Sequence, residues 1–154
     1  MTPIFHPLPP AIVAHYRNGG ADDHGQIPER RVSDGDGVPC RASMQMVPAG
    51  AAYLVLAHRP FATLNPYAET GPIFVSQDMP LARPGPDLPA FLVSPRYILR
   101  GYSADDRIVY GTGAIVETGD LIAASAALLA RDDIAYAHVR SATNNCFHCR
   151  VERA

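Results

Sequence analysis

Proline vanishes after residue 95, and that absence organises the reading of this 154-residue sequence. All fifteen prolines lie at or before Pro95. Proline lacks a backbone donor and is excluded from central strands and helix interiors. The long uninterrupted elements are therefore expected after Pro95, with shorter strands and ordered loops before it. Other absences exclude whole classes of protein. No stretch approaches the roughly 18 apolar residues of a membrane-spanning helix, so no membrane partner is expected. The opening Met1-Thr-Pro-Ile-Phe-His-Pro-Leu-Pro-Pro10 has no basic start and no unbroken apolar run, unlike a secretory signal. The three cysteines, an odd number, argue against a disulfide framework. A cytoplasmic location is the expectation. A net charge of −2 supplies no field for nucleic acid, so no nucleic-acid partner is expected either. Phosphate loop, dinucleotide fingerprint and serine elbow are all missing. Asp34-Gly-Asp36-Gly37 is not followed by calcium-loop spacing. No cofactor is called for.

What is present suits one domain, long enough to bury roughly 70% of its unfolded surface. Twelve glycines and fifteen prolines make it loop-rich but short of disordered. Pro9-Pro10 can open a short helix over Ala11 to Tyr16, since proline suits a first helical turn. Asn18 to Val38 reads as a surface loop. Cys40 to Val47 alternates, with Cys40, Ala42, Met44 and Met46 on one face and Arg41, Ser43 and Gln45 on the other, the pattern of a half-buried strand. Ala51 to His58 is almost continuously apolar, as in a strand covered on both sides, and Ile73 to Val75 is a short strand. Met79 to Pro89 reads as an irregular crossing loop. Arg96 to Tyr102 and Arg107 to Ile115 flank a turn-forming Ser103-Ala-Asp-Asp106 and predict a hairpin. Thr118 can cap a helix over about 120–131, whose inward stripe is Leu121, Ile122, Ser125, Leu128 and Leu129. Ile134 to Val139 and Cys146 to Val151 close the chain as strands. The fold class is α+β: a mostly antiparallel sheet of six to eight strands with one main helix packed on it.

Several stretches form an ordered set: Pro39-Cys40-Arg41-Ala-Ser43, Tyr67 with Gly71-Pro-Ile-Phe-Val75, Arg100-Gly-Tyr102, Ala137-His138 with Cys146-Phe147, and the terminal Arg150-Val-Glu-Arg-Ala154. Together they resemble the family catalogued as domain of unknown function 1203, over roughly Cys40 to Ala154. The resemblance implies a small stand-alone domain, mainly bacterial, and carries no activity with it. Residues 1–154 then read as one domain, with a loop-rich segment over 1–38 and the family-like core over 39–154. In the family pattern, His138 is followed by Val, a second His and Asn, and a Gly-Cys-Phe step comes later. Here Arg140 and Ser141 stand in place of the second His and the Asn, and Asn145 precedes Cys146. A role needing two histidines on that strand is not expected.

Chemistry is sought first in Cys146-Phe-His-Cys149. Strand residues three apart point to opposite faces. Cys149 is therefore expected in the core with Phe147 and Val151, and Cys146 on the polar face with His148 and Arg150. That parity disfavours a metal or redox reading of the pair, and no second cysteine pair exists. Cys146 alone is a candidate nucleophile, with Arg150 or an imidazole to favour its thiolate. His138, on the preceding strand, is the candidate base. The plain alternative is a buried cysteine beside a hydrogen-bonded histidine. Cys40 reads as core. Arg41, His58, Tyr67 and Arg100 are the candidate ligand-binding residues, a set suited to a small anionic molecule. Each also has a structural reading: an ion pair or solvated residue for Arg41, a core-edge histidine, a loop anchor, a snorkelling arginine. Three functions stay open: a cofactor-independent enzyme working on a small anion, a non-enzymatic interaction domain, and a zinc site of Cys40, Cys146 and His138, which the parity of Cys40 disfavours. Acid–base chemistry at His138 requires fewer assumptions than covalent chemistry at Cys146.

Overall fold

The computed structural model describes residues 1–154. Its elements are β1 Pro3–His6, α1 Pro10–Arg17, β2 Glu29–Val32, β3 Ala52–His58, β4 Gly71–Ser76, β5 Arg96–Tyr102, β6 Ala114–Glu117, α2 Leu121–Leu129, β7 Tyr136–Ser141 and β8 Phe147–Arg153. The strands are antiparallel throughout and form two sheets, β1-β8-β7-β5-β6 and β2-β3-β4. No helix is long and apolar enough to cross a membrane.

The proline boundary marks a difference in element type. After Pro95 come β5 to β8 and α2, which make most of the larger sheet and the helix on it. That helix buries Leu121, Ser125 and Leu129 against Tyr97, Leu99, Ala137, Val139, Cys149 and Val151. Gly101 permits the approach, because a Cβ there would lie 3.4 Å from Leu128 Cδ1 on the helix and 2.8 Å from Ile134 Cδ1 just beyond it. Thr118 does not cap the helix. Its hydroxyl donates to the Ser94 carbonyl at 2.5 Å, and a 3-10 turn over Thr118–Asp120 leads into the helix instead. The hairpin expected around Ser103 exists, but β5 pairs with Ala114–Glu117. Residues 107–113 bow out between them, with Gly111 in the left-handed region at φ 85°.

Three expectations need correction. First, the sheet divides in two, because β3 and β4 face a second core, built with α1 residues Val13 and Tyr16 and with Phe147. In β3 only Leu54, Leu56 and His58 are buried, so it is covered on one face. Within the loop expected over 18–38, Glu29–Val32 pairs with β3 as an edge strand. Second, Cys40 to Val47 is a compact turn. Met44 N–H donates to the Cys40 carbonyl at 2.9 Å, and Met44 sits at φ 55°. The turn is wedged between the two cores, Cys40 and Ala42 in one and Met44 in the other; Arg41 and Ser43 are buried as well, so the alternation does not report a strand. Third, β8 carries an extra residue. Val139 pairs with Cys149, but Arg140 pairs with Phe147, leaving His148 as a β-bulge. The bulge moves Phe147 to the face opposite Cys149, and His148 packs on Phe91 and Tyr97.

Arg41 ties the compact turn to that bulge. It is 3% exposed, and its Nε donates to the Phe147 carbonyl at 2.8 Å and its Nη1 to the Pro39 carbonyl at 2.7 Å. With no carboxylate beside it, burial lowers its pKa to about 10. Replacing it by an isosteric apolar chain leaves two carbonyls without donors while relieving a desolvated charge. Arg41→Met is expected to cost about 2 kcal/mol in urea unfolding. An unchanged midpoint would show that these bonds do not hold the turn.

Candidate functional site

The face of the larger sheet turned away from α2 carries a row of basic side chains in register. Cross-strand pairing places His6 opposite Arg150, Arg150 opposite His138, and His138 opposite Arg100, so the row runs over β1, β8, β7 and β5. A cavity of about 660 Å³ opens over part of this row. His6, His138 and Arg150 line it from the sheet, Arg59 and Arg83 from loops, and Glu152 is its acidic member. Leu8, Ile12, Phe61 and Phe147 supply apolar wall. The volume lies in the range of small-molecule sites.

The arginines here are partly unspent. Arg150 stacks its guanidinium 3.6 Å from the Tyr136 ring centroid and donates through Nε to Glu152. Its terminal nitrogens have no acceptor in the protein. Arg59 donates only through Nε, to the Phe61 carbonyl at 3.5 Å, and Arg83 makes no hydrogen bond. The sequence contains no lysine, so every cationic side chain is a planar fork suited to carboxylate or phosphate.

His138 is completely buried in an aromatic cage of Phe61, Tyr102, Tyr136 and Phe147, with centroids 4.7–5.2 Å away. Its Nδ1 lies 3.2 Å from Arg140 Nη2. Arginine only donates, so Nδ1 accepts, the ring is neutral and its proton sits on Nε2. That Nε2–H is buried with no partner, as is Nε2 of His6. His6 Nε2 lies 3.4 Å from Glu152 without hydrogen-bond alignment. Unpartnered buried polar groups are costly, and two of them line one cavity. Burial first, then Arg140, Arg150 and Arg100, holds the His138 pKa well below the usual imidazole value.

His58, at the end of β3, lines the same cavity and also a smaller one of about 240 Å³. Its Nδ1 lies 3.0 Å from the Tyr16 hydroxyl and 3.6 Å from Asp23 Oδ2. The carboxylate beside Nδ1 favours the proton there, donated to the Tyr16 oxygen, and leaves the lone pair on Nε2. Tyr16 has its own pKa raised to about 12 by burial and by Asp23 and Asp22. Burial pushes the His58 pKa down to about 4, against Asp23 and with Arg41 and Arg59.

The other sequence candidates disperse. Cys146 lines only the smaller cavity, with Arg140, Glu69 and Asn145, while His138 lines only the larger. Phe147 and His58 belong to both walls. Arg41 lines neither cavity. Arg100 is committed to Tyr102 at 2.8 Å and Glu69 at 3.0 Å. Glu69 also takes Arg140 at 3.2 Å. Tyr67 stands apart, its hydroxyl 3.2 Å from that of Tyr110. Sequence reasoning missed His6, because β1 is only four residues long between prolines, and Arg59 and Arg83, which lie in loops. It placed Arg150 beside Cys146, but Arg150 pairs with His138 and the bulge turns the residues before His148 away from that face. Cys146 and Cys149 are unbridged, and no three His, Cys, Asp or Glu side chains converge on a metal-sized point.

A family model described as a protein of unknown function (DUF1203) matches residues 37–153. No curated protein and no solved structure matches the chain.

Two outcomes follow from the buried groups. His148, like His58, is depressed by burial and then by Arg41, to about 3. An unfolded histidine titrates near about 6.5, so between these values the unfolded chain binds more protons. Stability is complete above about pH 6.5 and falls as the pH drops toward the folded values, by up to about 1.4 kcal/mol per unit for each of His58, His138 and His148. His148→Phe should flatten the slope by about that amount in urea titrations between about pH 7 and 4.5. Identical slopes would show that His148 is protonated in the folded state. Iodoacetamide on folded protein should label Cys146 and spare Cys40 and Cys149, which are fully buried. Peptide mapping reads the outcome, and equal labelling of all three would contradict this burial.

Proposed function

Because the chain belongs to the DUF1203 family, and that membership carries no activity, we propose from the site alone that it binds a small anionic molecule with an apolar body in the 660 Å³ cavity. The observation that carries this reading is the set of unspent donors around apolar walls: the terminal nitrogens of Arg59, Arg83 and Arg150 and the unpartnered Nε2–H of His138. Three arginines against the single carboxylate of Glu152 leave a positive field inside the cavity. Phe61, Phe147, Leu8 and Ile12 favour an aromatic or branched aliphatic body. Of the candidates named from sequence, His58 and His138 belong to this site. Arg41 supports it indirectly, through the Phe147 carbonyl, while Arg100 pairs with Glu69 outside it. Cys146 lies on the far side of the Phe147 wall and is not assigned a role in binding.

Isothermal titration with phenylacetate, phenyl phosphate and the neutral control phenylacetamide tests the proposal. A charge-assisted hydrogen bond contributes about 1.5–3 kcal/mol, so the acids should bind about 10–100-fold more tightly than the amide. Arg150→Met should remove most of that preference while unfolding like the wild type. Equal affinity for acid and amide, or no binding of either, would remove the anion site and leave the interaction-domain reading in its place.

A further inference from the structure

His58 and His138 sit in the same cavity wall in complementary states. Both pack on the Phe147 ring, at centroid distances of 6.1 and 4.8 Å. They lie close enough that charge on His58 disfavours charge on His138. Arg140, a donor only, fixes the His138 proton on Nε2. Asp23, an acceptor only, favours the His58 proton on Nδ1. His138 therefore holds a buried, unpartnered donor and His58 a free lone pair, on two residues that line one cavity.

We propose that this pair catalyses proton abstraction beside a carbonyl, with His58 Nε2 as base and the neutral His138 Nε2–H as donor to the carbonyl oxygen. The proposal rests on the anion-binding reading, and narrows the substrate class to an oxo-acid with an enolisable C–H and an apolar substituent. The carboxylate lies on the arginine forks. The C–H bond breaks, its proton moves to His58 Nε2, and the electron pair moves through the adjacent carbon to the carbonyl oxygen. The resulting enolate is held by the His138 Nε2–H. Return of a proton from His58 to carbon completes exchange or tautomerisation. No electron leaves the substrate and no co-reactant is consumed.

The physical case is one of matched environments. A neutral imidazole donor suits a developing enolate, because it stabilises the charge without first protonating the ground state. The cage around His138 excludes water, which strengthens that hydrogen bond. His58 is unprotonated at neutral pH and about as basic as a carboxylate, and Asp23 and Tyr16 on Nδ1 stabilise the imidazolium formed when it takes the proton. The groups facing His58 are Tyr16, Asp23, Arg41 and Arg59.

Phenylpyruvate in D2O, followed by proton NMR, is the direct test. The protein should speed loss of the C3 protons about 100-fold or more over buffer, the usual scale of general acid–base catalysis. His58→Gln should abolish most of that acceleration, and His138→Phe should lower it by a larger factor than it lowers phenylacetate affinity. Binding of phenylacetate without deuteration of phenylpyruvate overturns the catalytic pair and leaves the anion site standing. Failure of both acids to bind overturns the anion site and the pair together. Deuteration that survives His58→Gln overturns the choice of base. Should either variant fail to fold, nitrogen-15 NMR of the histidines in the wild-type protein decides. The expected tautomers are Nδ1–H for His58 and Nε2–H for His138, and the reverse assignment in either ring overturns the proposal.

Discussion

One extra residue in β8 sets the geometry of the polar face. Without the bulge at His148, Phe147 would share a face with Cys149 and point into the α2 core. With it, Phe147 turns between the two sheets, where it packs on both His58 and His138. Arg41 holds that arrangement from the other side by donating to the Phe147 carbonyl. A bulge leaves a carbonyl outside the regular ladder, and a buried carbonyl needs a donor. The compact Pro39–Met46 turn supplies one from 106 residues away in sequence.

The basic row on the larger sheet illustrates how antiparallel pairing concentrates charge. His6, Arg150, His138 and Arg100 are scattered along the chain, yet strand register stacks them across four neighbouring strands. Four such groups in one row repel one another and resist burial. The protein disperses the cost unevenly. Glu69 takes Arg100 and Arg140 at once, Glu152 takes Arg150, and His138 stays neutral. Arg140 lies two residues from His138 on the same strand, with its Nη2 3.2 Å from Nδ1 of that ring. A guanidinium there can only donate to His138, whereas an imidazole could also accept. Of the three imidazoles lining the cavity, His58 comes from β3 of the smaller sheet, so the site depends on how the two sheets meet.

Much of the framework was legible before any coordinates. The run of Ala51 to His58, the alanine-rich stretch over about 120–131 and the proline-free end each report local preferences that packing did not override: backbone donors where ladders need them, and small side chains where a helix must approach a sheet. Cys40 and Cys149 are buried as expected, although the strand at Cys40 and the shared face of Cys149 with Phe147 on which those expectations rested do not exist. The matched family stretch, residues 37–153, covers nearly the same span as the motifs that carried the resemblance.

Periodicity failed where two cores compete for one segment. Cys40 to Val47 alternates like a strand, yet a turn wedged between cores buries both parities, and alternation cannot distinguish the two. Parity failed again at Cys146 to Cys149, because one inserted residue reverses every face before it and leaves no mark in composition. The pairing of Cys146 with His138 rested on that parity, and the structure puts them in different cavities with Phe147 in both walls. Composition and local pattern thus determined the fold class, the main helix and the residue types available for chemistry. Which of those residues share a cavity, and which ring nitrogen carries a proton, was decided only by the tertiary structure, since both depend on partners such as Arg140, Asp23 and Tyr16 that strand register and sheet packing bring together.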